Sequence, residues 1–413
     1  MMRASDRPRR ANFTHAAKTS DSMIVRRPDN TPHPSVRSNI AAPCQSSFVH
    51  RLSRLPHPNP TLNKPMTLSS SPLFASICAS VMGIALHFCP LANGSDHPAE
   101  YNREQTRNAF RRPATPSFPK ENAYSPKREA LGKALFFDPR LSGANSISCA
   151  SCHNPAFAWG DGLPKGVGHG SKEVGRRTPT ILNTGYAELL FWDGRAGSLE
   201  EQALGPIAAP GEMNLPLDKM VAKIKAIAGY KQMFDEAYPN EEISETTVAK
   251  AIATFERTVV SGTAPFDEWI AGKEDAIPES AKRGFDLFNN KASCVKCHSG
   301  WNFTDDGFHD IGLASEDIGR GKILKELESM QHAFKTPTLR NARQRAPFMH
   351  DGSEPTLEAV VQFYNRGGSS KRQSLAPEIQ PLNLTETEVK DLCNFMDTLA
   401  SHDRPVGIPV LPR

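Results

Sequence analysis

Two short stretches of this 413-residue chain contain two cysteines followed at once by a histidine. They read Cys149-Ala-Ser-Cys152-His153 and Cys294-Val-Lys-Cys297-His298. The Cys-x-x-Cys-His pattern attaches a c-type haem. Both thiols bond to the haem vinyl groups, and the histidine becomes the proximal ligand of the iron. The sequence therefore predicts two covalently bound haem c groups, one at each stretch.

Zinc is the alternative for two Cys-x-x-Cys pairs. A zinc site with four thiolates usually has its two pairs at short spacing. Here more than 140 residues separate Cys152 from Cys294, and each pair is followed directly by a histidine. These two features favour haem over zinc.

Similar elements precede the two motifs. Apolar spacing predicts a helix over 127–137 before the first motif and another over 279–288 before the second. Gly284 and Phe288 of the second helix take the places of Gly132 and Phe136 in the first, and Leu287 takes that of Leu135. A helix and a loop thus lead into each Cys-x-x-Cys-His, which indicates two related haem domains.

Apolar spacing and capping residues predict four further helices. Their marker residues are Met220, Ile224 and Ile227; Val248 to Val259 after Ser244 as N-cap; Leu357, Val361 and Tyr364 after Pro355; and Val389 to Leu399 after a Thr385–Glu388 capping box. Cys393, on the apolar face of the last helix, is expected to be a buried thiol. The predicted fold class is mostly α: two cytochrome-c-like haem domains, 96–270 and 271–413, with long connecting loops.

The N-terminal quarter has a different composition. Residues 1–65 contain eleven Lys or Arg against three Asp or Glu, a net charge of +8, and no apolar periodicity. This predicts a disordered basic extension. The whole chain is only +4, so the remainder carries about −4, and no nucleic-acid partner is expected.

An uncharged apolar run follows over residues 73–91. We predict a signal peptide over 66–95, with Met66 as a candidate start, or a retained membrane anchor. Because c-type haem is attached outside the cytoplasm in bacteria, we expect export to the periplasm. The polar, proline-rich residues 101–126 are expected to form an extended arm.

Several motifs lie in order around the two haem sites. They are Phe191-Trp192-Asp193-Gly194-Arg195 with Gln202, Pro206 and Glu212; Thr178-Pro179-Thr180-Ile181-Leu182-Asn183; Phe255-Glu256-Arg257-Thr258; Phe334-Lys335-Thr336-Pro337-Thr338-Leu339-Arg340-Asn341; and Pro347-Phe348-Met349-His350-Asp351-Gly352. Together they strongly resemble the dihaem cytochrome c peroxidase and MauG families of bacteria, over about residues 126–400. The resemblance implies that hydrogen peroxide reacts at the N-terminal haem.

The resemblance also implies roles for single residues. Trp192 would lie between the two haems and relay electrons, and Gln202 and Glu212 would line the distal face of the first haem beside Pro206. The chemistry agrees, because peroxide cleavage needs a base that takes a proton from one oxygen and returns it to the other. A carboxylate such as Glu212 can do this, while an amide orients the peroxide.

The second haem has His298 on one side. Cytochrome c peroxidases place a methionine on the other side, at the position of Tyr364 here, and a tyrosine there looks like the MauG type. Methionine raises a haem potential, whereas a phenolate is a hard anion that favours high oxidation states of iron. We expect His153 to be a ligand of the first haem iron, and His298 and Tyr364 to be ligands of the second. A plain core tyrosine is the alternative, with Met349 and Met396 as other candidate ligands.

Two positions depart from or extend the family pattern. His169 lies sixteen residues after His153, where the peroxidases carry a removable distal histidine; it is either such a cap or a loop residue near the surface. The family often binds calcium through an asparagine before Thr-Pro-Thr and two backbone carbonyls, which would be those of Arg345 and Pro347. Arg177 holds the asparagine position here, and a cation opposes calcium. For His350, a role near the haems and a structural hydrogen bond stay open.

The expected function is an exported dihaem c-type peroxidase. It would reduce hydrogen peroxide at the N-terminal haem with electrons passed through the C-terminal haem from a small redox protein, a cytochrome c or a cupredoxin. The alternative is a MauG-like enzyme that oxidises a side chain, such as a tryptophan, of a partner protein. A pure electron-transfer cytochrome is a third hypothesis, and it would need both distal faces capped.

Overall fold

The computed structural model describes residues 104–403 and 405–413. The predicted basic extension (1–65) and the predicted signal peptide or anchor (66–95) lie outside the described residues. The described chain is mostly helical, as the sequence predicts. Within it, no helix combines the length and apolar character needed to cross a membrane.

The helices of the first half surround the first haem motif. They are α1 Pro126–Phe136, α2 Cys149–Cys152, α3 Leu199–Ala208, α4 Leu217–Lys225, α5 Ala228–Ala237 and α6 Glu245–Thr258. The predicted helices around 127–137 and 248–259 are confirmed, and Ser244 caps α6 as expected. Ile227 was wrongly assigned to the helix of Met220, because the chain turns after Lys225 and Ile227 becomes the N-cap of α5.

The second half has fewer helices and longer loops. Its helices are α7 Pro265–Ile270, α8 Glu279–Asn289, α9 Leu357–Asn365 and α10 Glu386–Asp397, and a short antiparallel pair joins β1 Phe308–His309 to β2 Phe334–Lys335. The Thr385–Glu388 capping box is confirmed. Helix α9 begins just after Pro355 as predicted, and Thr356 caps it, since the threonine hydroxyl accepts a hydrogen bond from the Ala359 amide at 3.1 Å.

Each half contains its own hydrophobic core, built on one pair of crossing helices. In the first core Phe136 of α1 packs on Phe255 of α6, with ring centroids 5.2 Å apart. In the second core Phe285 of α8 packs on Phe395 of α10, with ring centroids 5.3 Å apart. The repeated arrangement agrees with two related domains, although Phe285, and not Leu287, fills the second core.

The second core also draws on residues that lie before 271 in the sequence. Phe266 and Trp269 of α7 belong to it, and so does Phe110. The predicted arm is therefore only partly extended: residues 104–109 are helical, and the Phe110 ring contacts that of Phe285 at 5.3 Å. The boundary at 270/271 stays a prediction.

The last helix differs from the sequence expectation at one position. Cys393 is half-buried, so the expectation of a buried core thiol was wrong. Phe395, which is fully buried, fills the core beside it. The apolar face of α10 is rotated slightly from the predicted one, because the aromatic ring buries more apolar area than the thiol.

A glycine lies at each helix crossing. A Cβ atom on Gly132 would collide with the backbone carbonyl of Ala251 in α6, and one on Gly284 would collide with that of Asp391 in α10. The side-chain-free positions let the two helices of each pair approach closely. This explains why both helices before the haem motifs carry a glycine at the same place.

Replacing either glycine by alanine is expected to lower stability. Gly132→Ala and Gly284→Ala should each cost about 1–3 kcal/mol, because the helices must separate to admit a methyl group. Calorimetric unfolding of the holoprotein measures this. Gly407→Ala is the matched control, since a Cβ there meets no atom within 4 Å; equal melting temperatures for all four proteins would contradict the prediction.

Candidate dihaem peroxide site

The two motif histidines are held in the same way. The Nδ1 atom of His153 lies 3.3 Å from the carbonyl oxygen of Trp159, and that of His298 lies 2.9 Å from the carbonyl oxygen of Phe303. A donated Nδ1–H fixes the tautomer and leaves the Nε2 lone pair for a metal. Burial lowers the pKa of both imidazoles, so both rings are neutral at neutral pH and can bind a metal through Nε2.

The motif cysteines stand beside these histidines on short helical turns. Ser148 and Ser151 close a capping box around α2, and the His153 amide donates to the Cys149 carbonyl at 2.8 Å. The His298 amide makes the same 2.8 Å bond to the Cys294 carbonyl. Burial raises the pKa of Cys152 to about 11 and that of Cys294 to about 12. The thiols are therefore held neutral in apolar surroundings.

A continuous cavity of about 670 Å³ contacts both motifs. Its lining includes the residues of both haem motifs and the predicted catalytic and ligand residues: Cys149, Cys152, His153, Cys294, Cys297, His298, Trp192, Gln202, Glu212 and Tyr364. Neutral imidazoles with a free Nε2, paired cysteines and an apolar lining are the groups that a c-type haem requires. The residues at both ends of the cavity therefore fit covalently attached haem.

Helix α3 and the turn after it form one wall of the first site. Gln202 and Pro206 lie on α3, and Glu212 follows in a turn closed by the Glu212 amide, which donates to the Ala209 carbonyl at 3.0 Å. The Glu212 carbonyl accepts from the His169 amide at 2.7 Å. Backbone contacts thus fix the position from which the Glu212 side chain reaches the cavity.

The Glu212 carboxyl is suited to proton transfer. Burial raises its pKa above the ordinary value of 4.5, and the nearby Arg195 guanidinium opposes that rise. A carboxyl with a raised pKa is a stronger base than an exposed one and exchanges protons more readily near neutral pH. Gln202 on the same wall supplies an amide donor and acceptor.

Trp192 lies where the two halves of the chain meet. Its indole N–H donates to the Arg177 carbonyl at 2.8 Å, and its own carbonyl accepts from the Lys335 amide at 2.8 Å. The His350 ring contacts the indole edge, with centroids 6.5 Å apart. These contacts fix Trp192 between the two motif-bearing halves.

A charge network holds the segment around Trp192. Arg176 donates to Asp193 at 2.6 Å and to Asp317 at 2.6 Å, and Arg195 donates to Asp193 at 2.9 Å. These pairs join the Trp192–Asp193 turn to the second half of the chain. Burial alone would raise the pKa of Asp193 and that of Asp317, but the hydrogen bonds and charges of their arginine and lysine partners outweigh it, so both pKa values are lowered.

Tyr364 faces the cavity at the second motif. Desolvation raises its pKa, and the neighbouring Cys294 and Cys297 add to the rise. Met349 and Met396 also line the cavity, so all three candidate ligands contact it.

His169 and His350 differ in their surroundings. His169 is half-buried, and the cavity lining extends to Gly168 but not to its imidazole; the surface-loop alternative fits this arrangement. His350 is buried, stacks on Phe334 at 3.6 Å between centroids, and lies with Nε2 3.3 Å from the Ser315 hydroxyl. Desolvation lowers its pKa to about 4, so the ring is neutral, and it also lines the cavity.

One buried acid at the site was missed by the sequence reasoning. Glu256 lines the cavity, is 4% exposed, and has an Oε2 atom without a hydrogen-bond partner among the described residues. Burial raises its pKa to about 8. The residue belongs to the Phe255-Glu256-Arg257-Thr258 motif. Its place next to Phe255 on a helix with a strongly apolar face was the sequence feature that could have indicated its burial.

Two halves, each with a helix pair and a Cys-x-x-Cys-His motif facing a shared cavity, define a dihaem c-type cytochrome. Sequence models agree: the family described as di-haem cytochrome c peroxidase matches residues 126–275, and the family described as cytochrome c matches residues 281–400. These matches imply two covalently bound haem c groups.

Individual relatives give the same assignment. The chain is 51% identical to Methylamine utilization protein MauG of Methylorubrum extorquens, over 73% of this chain and 86% of that protein. It is 36% identical to Cytochrome-c peroxidase IdrP1 of a Pseudomonas species, over 70% of this chain and 86% of that protein. Among solved structures, a MauG-like protein associated with microbial copper homeostasis matches with a TM-score of 0.66 and 31% identity. The match covers 70% of this chain and 94% of that protein. The chain belongs to the di-haem cytochrome c peroxidase and MauG family and is a haem peroxidase-type enzyme.

Replacing the Glu212 carboxylate should slow the reaction with peroxide. Glu212→Gln keeps the size of the side chain but removes the base, and the rate should fall about 100-fold or more. Stopped-flow absorption after peroxide addition measures the rate, and haem content is checked in parallel. Glu236→Gln, at an exposed partner of Lys127, is the matched control; an undiminished rate in Glu212→Gln would remove the proposed role.

The same carboxyl should impose a pH dependence. Only the deprotonated form accepts a proton, and burial raises the pKa of Glu212. The wild-type rate should therefore fall as the pH drops through a value above 4.5, the ordinary glutamate pKa. The Glu212→Gln variant should lack this acidic decline, and an identical pH profile in both proteins would assign the decline to another group.

Proposed function

We propose that this protein uses hydrogen peroxide as its oxidant at the first haem site and passes oxidising equivalents to the second site through Trp192. The observation that carries the proposal is the shared cavity, whose lining includes Glu212, Gln202, Trp192 and Tyr364 together with both haem motifs. When bound, a c-type haem supplies an iron that can bind peroxide and exchange electrons.

The chain's own residues handle the protons. Reduction of hydrogen peroxide to two waters consumes two electrons and two protons. Glu212 would take a proton from one peroxide oxygen and return it to the other, which leaves as water, while the Gln202 amide would orient the peroxide. A pure electron carrier would have no use for a basic carboxylate and an amide at this wall, so an enzyme is favoured over a carrier.

Tyr364 determines the proposed end use. A phenolate ligand favours oxidised iron, so the second site would store an oxidising equivalent rather than accept electrons easily. Such a store suits slow oxidation of a side chain, such as a tryptophan, on a partner protein. The higher identity to MauG proteins, 51% and 45%, than to the peroxidase of the Pseudomonas species, 36%, supports the same use.

Reduction of peroxide with electrons from a small cytochrome c or a cupredoxin is the second candidate. Similarity to several proteins named cytochrome-c peroxidase supports it, and Met349 and Met396 at the second site offer the thioether that this use would require. For either use we propose a periplasmic location, because c-type haem is attached there and an apolar run precedes the described chain.

A comparison of wild type with Tyr364→Met separates the two uses. One equivalent of peroxide should leave the wild-type protein two electrons oxidised for minutes, as counted by reductive titration. In Tyr364→Met this state should decay at least about tenfold faster, because a thioether stabilises the reduced iron. Oxidation of a reduced cytochrome c by that variant should become faster.

Tyr364→Phe is the matched variant, since it keeps the ring and removes only the hydroxyl. It should also lose the long-lived state, whereas Tyr124→Phe at the surface should keep it. If wild type holds no oxidising equivalents and turns over a reduced cytochrome quickly, the peroxide-detoxifying use replaces the proposed one.

A further inference from the structure

Arg177 is a buried cation at the junction of the two halves. Its residue is 5% exposed, and desolvation lowers its pKa. Burying a guanidinium away from water costs free energy unless other groups replace the lost hydration. The groups that surround Arg177 should therefore reveal why the cation is kept there.

Backbone carbonyls replace part of that hydration, while the Nε atom has no hydrogen-bond partner among the described residues. The Nη2 atom donates to the Arg345 carbonyl across the junction, and Nη1 lies 3.4 Å from the Thr178 carbonyl. Asp161, whose carboxylate accepts from the Thr178 hydroxyl at 2.6 Å, partly offsets the charge. A cation among carbonyl oxygens is the arrangement that calcium adopts in proteins.

This arrangement does not fit calcium itself. The Arg345 carbonyl is one of the two that the family resemblance nominates as calcium ligands, and here it already accepts a hydrogen bond from the guanidinium. The asparagine oxygen that would complete such a site is replaced by a positively charged group. A second cation beside Arg177 would meet both a missing ligand and like-charge repulsion.

The backbone of Arg177 holds the relay tryptophan. Its carbonyl accepts from the Trp192 indole at 2.8 Å, and its amide donates to the His350 carbonyl at 2.8 Å. Together with the guanidinium contact to Arg345, a single residue links the Trp192 turn to the 345–350 segment. Arg177 is thus a positioning residue for the relay.

We propose that the Arg177 guanidinium is a built-in cation that replaces calcium between the two halves and keeps Trp192 in place. A covalently attached cation cannot dissociate, so the junction should not depend on the metal supply. Because the Arg177 cation takes no part in the reaction with peroxide, its role can be tested without enzyme turnover.

The wild-type holoprotein gives the first test. Metal analysis should find no bound calcium, and neither a chelator nor added Ca²⁺ should change the melting temperature or the midpoint potentials of the haems. A stoichiometric calcium ion, or a melting temperature that falls in chelator, would overturn the proposal.

Variants at the same position give the second test. Arg177→Asn should lower the melting temperature by about 5 °C, because the Arg345 carbonyl loses its partner. Added Ca²⁺ should restore most of the loss, and Mg²⁺ should not, because it demands a smaller octahedral site. Haem midpoint potentials should shift and return with the same ion preference, which a merely structural role of the side chain would not produce.

Two matched variants separate the effect of the positive charge from the effect of the side-chain shape. Arg177→Met lacks both the charge and a ligand for calcium, so it should be destabilised and insensitive to Ca²⁺. Arg177→Lys keeps a cation and should remain calcium-independent with a smaller drop in melting temperature. Equal calcium responses of the Asn and Met variants, or no loss in either, would contradict the proposed replacement.

Discussion

The hydrogen bond from each motif histidine to a backbone carbonyl is the constraint on which the site depends. It fixes the imidazole tautomer, so that the Nε2 atom of His153 and that of His298 carry no hydrogen and are free to bind a metal. The carbonyls come from Trp159 and Phe303, several residues after each motif. The loop that follows each Cys-x-x-Cys-His is therefore part of the ligand environment, because its path sets the direction of the imidazole.

Two further constraints let both motifs face one cavity. Within each half, a glycine allows two helices to cross closely, which builds a core without filling the space beside the cysteines. Between the halves, charged groups take over from apolar packing: Arg176 bridges Asp193 and Asp317, and Arg177 reaches the Arg345 carbonyl. These directional contacts fix Trp192 more strictly than apolar contact would, since hydrogen bonds depend on angle as well as distance.

The proposed function would let one fold support two uses of peroxide. The first site would need a carboxyl that moves protons, and burial raises the pKa of Glu212. The second site would need a ligand that sets how strongly an oxidising equivalent is held. A change between methionine and tyrosine at position 364 would alter that strength, because the two side chains favour different oxidation states of iron.

The sequence by itself determined the cofactor class, the mostly helical fold and the identity of the motif residues, because covalent haem attachment requires fixed residue types at fixed spacing, and helix caps such as Ser244 and Thr385 act locally. Tertiary structure decided what depends on distant contacts: the packing of Phe110 on the second core, the half-exposure of Cys393, the burial of Glu256 and the contact from Arg177 to Arg345. The sequence placed an arginine at position 177 and suggested that it opposes calcium. Only the fold brought its guanidinium to a carbonyl 168 residues away, because such proximity arises from packing and has no local sequence signal.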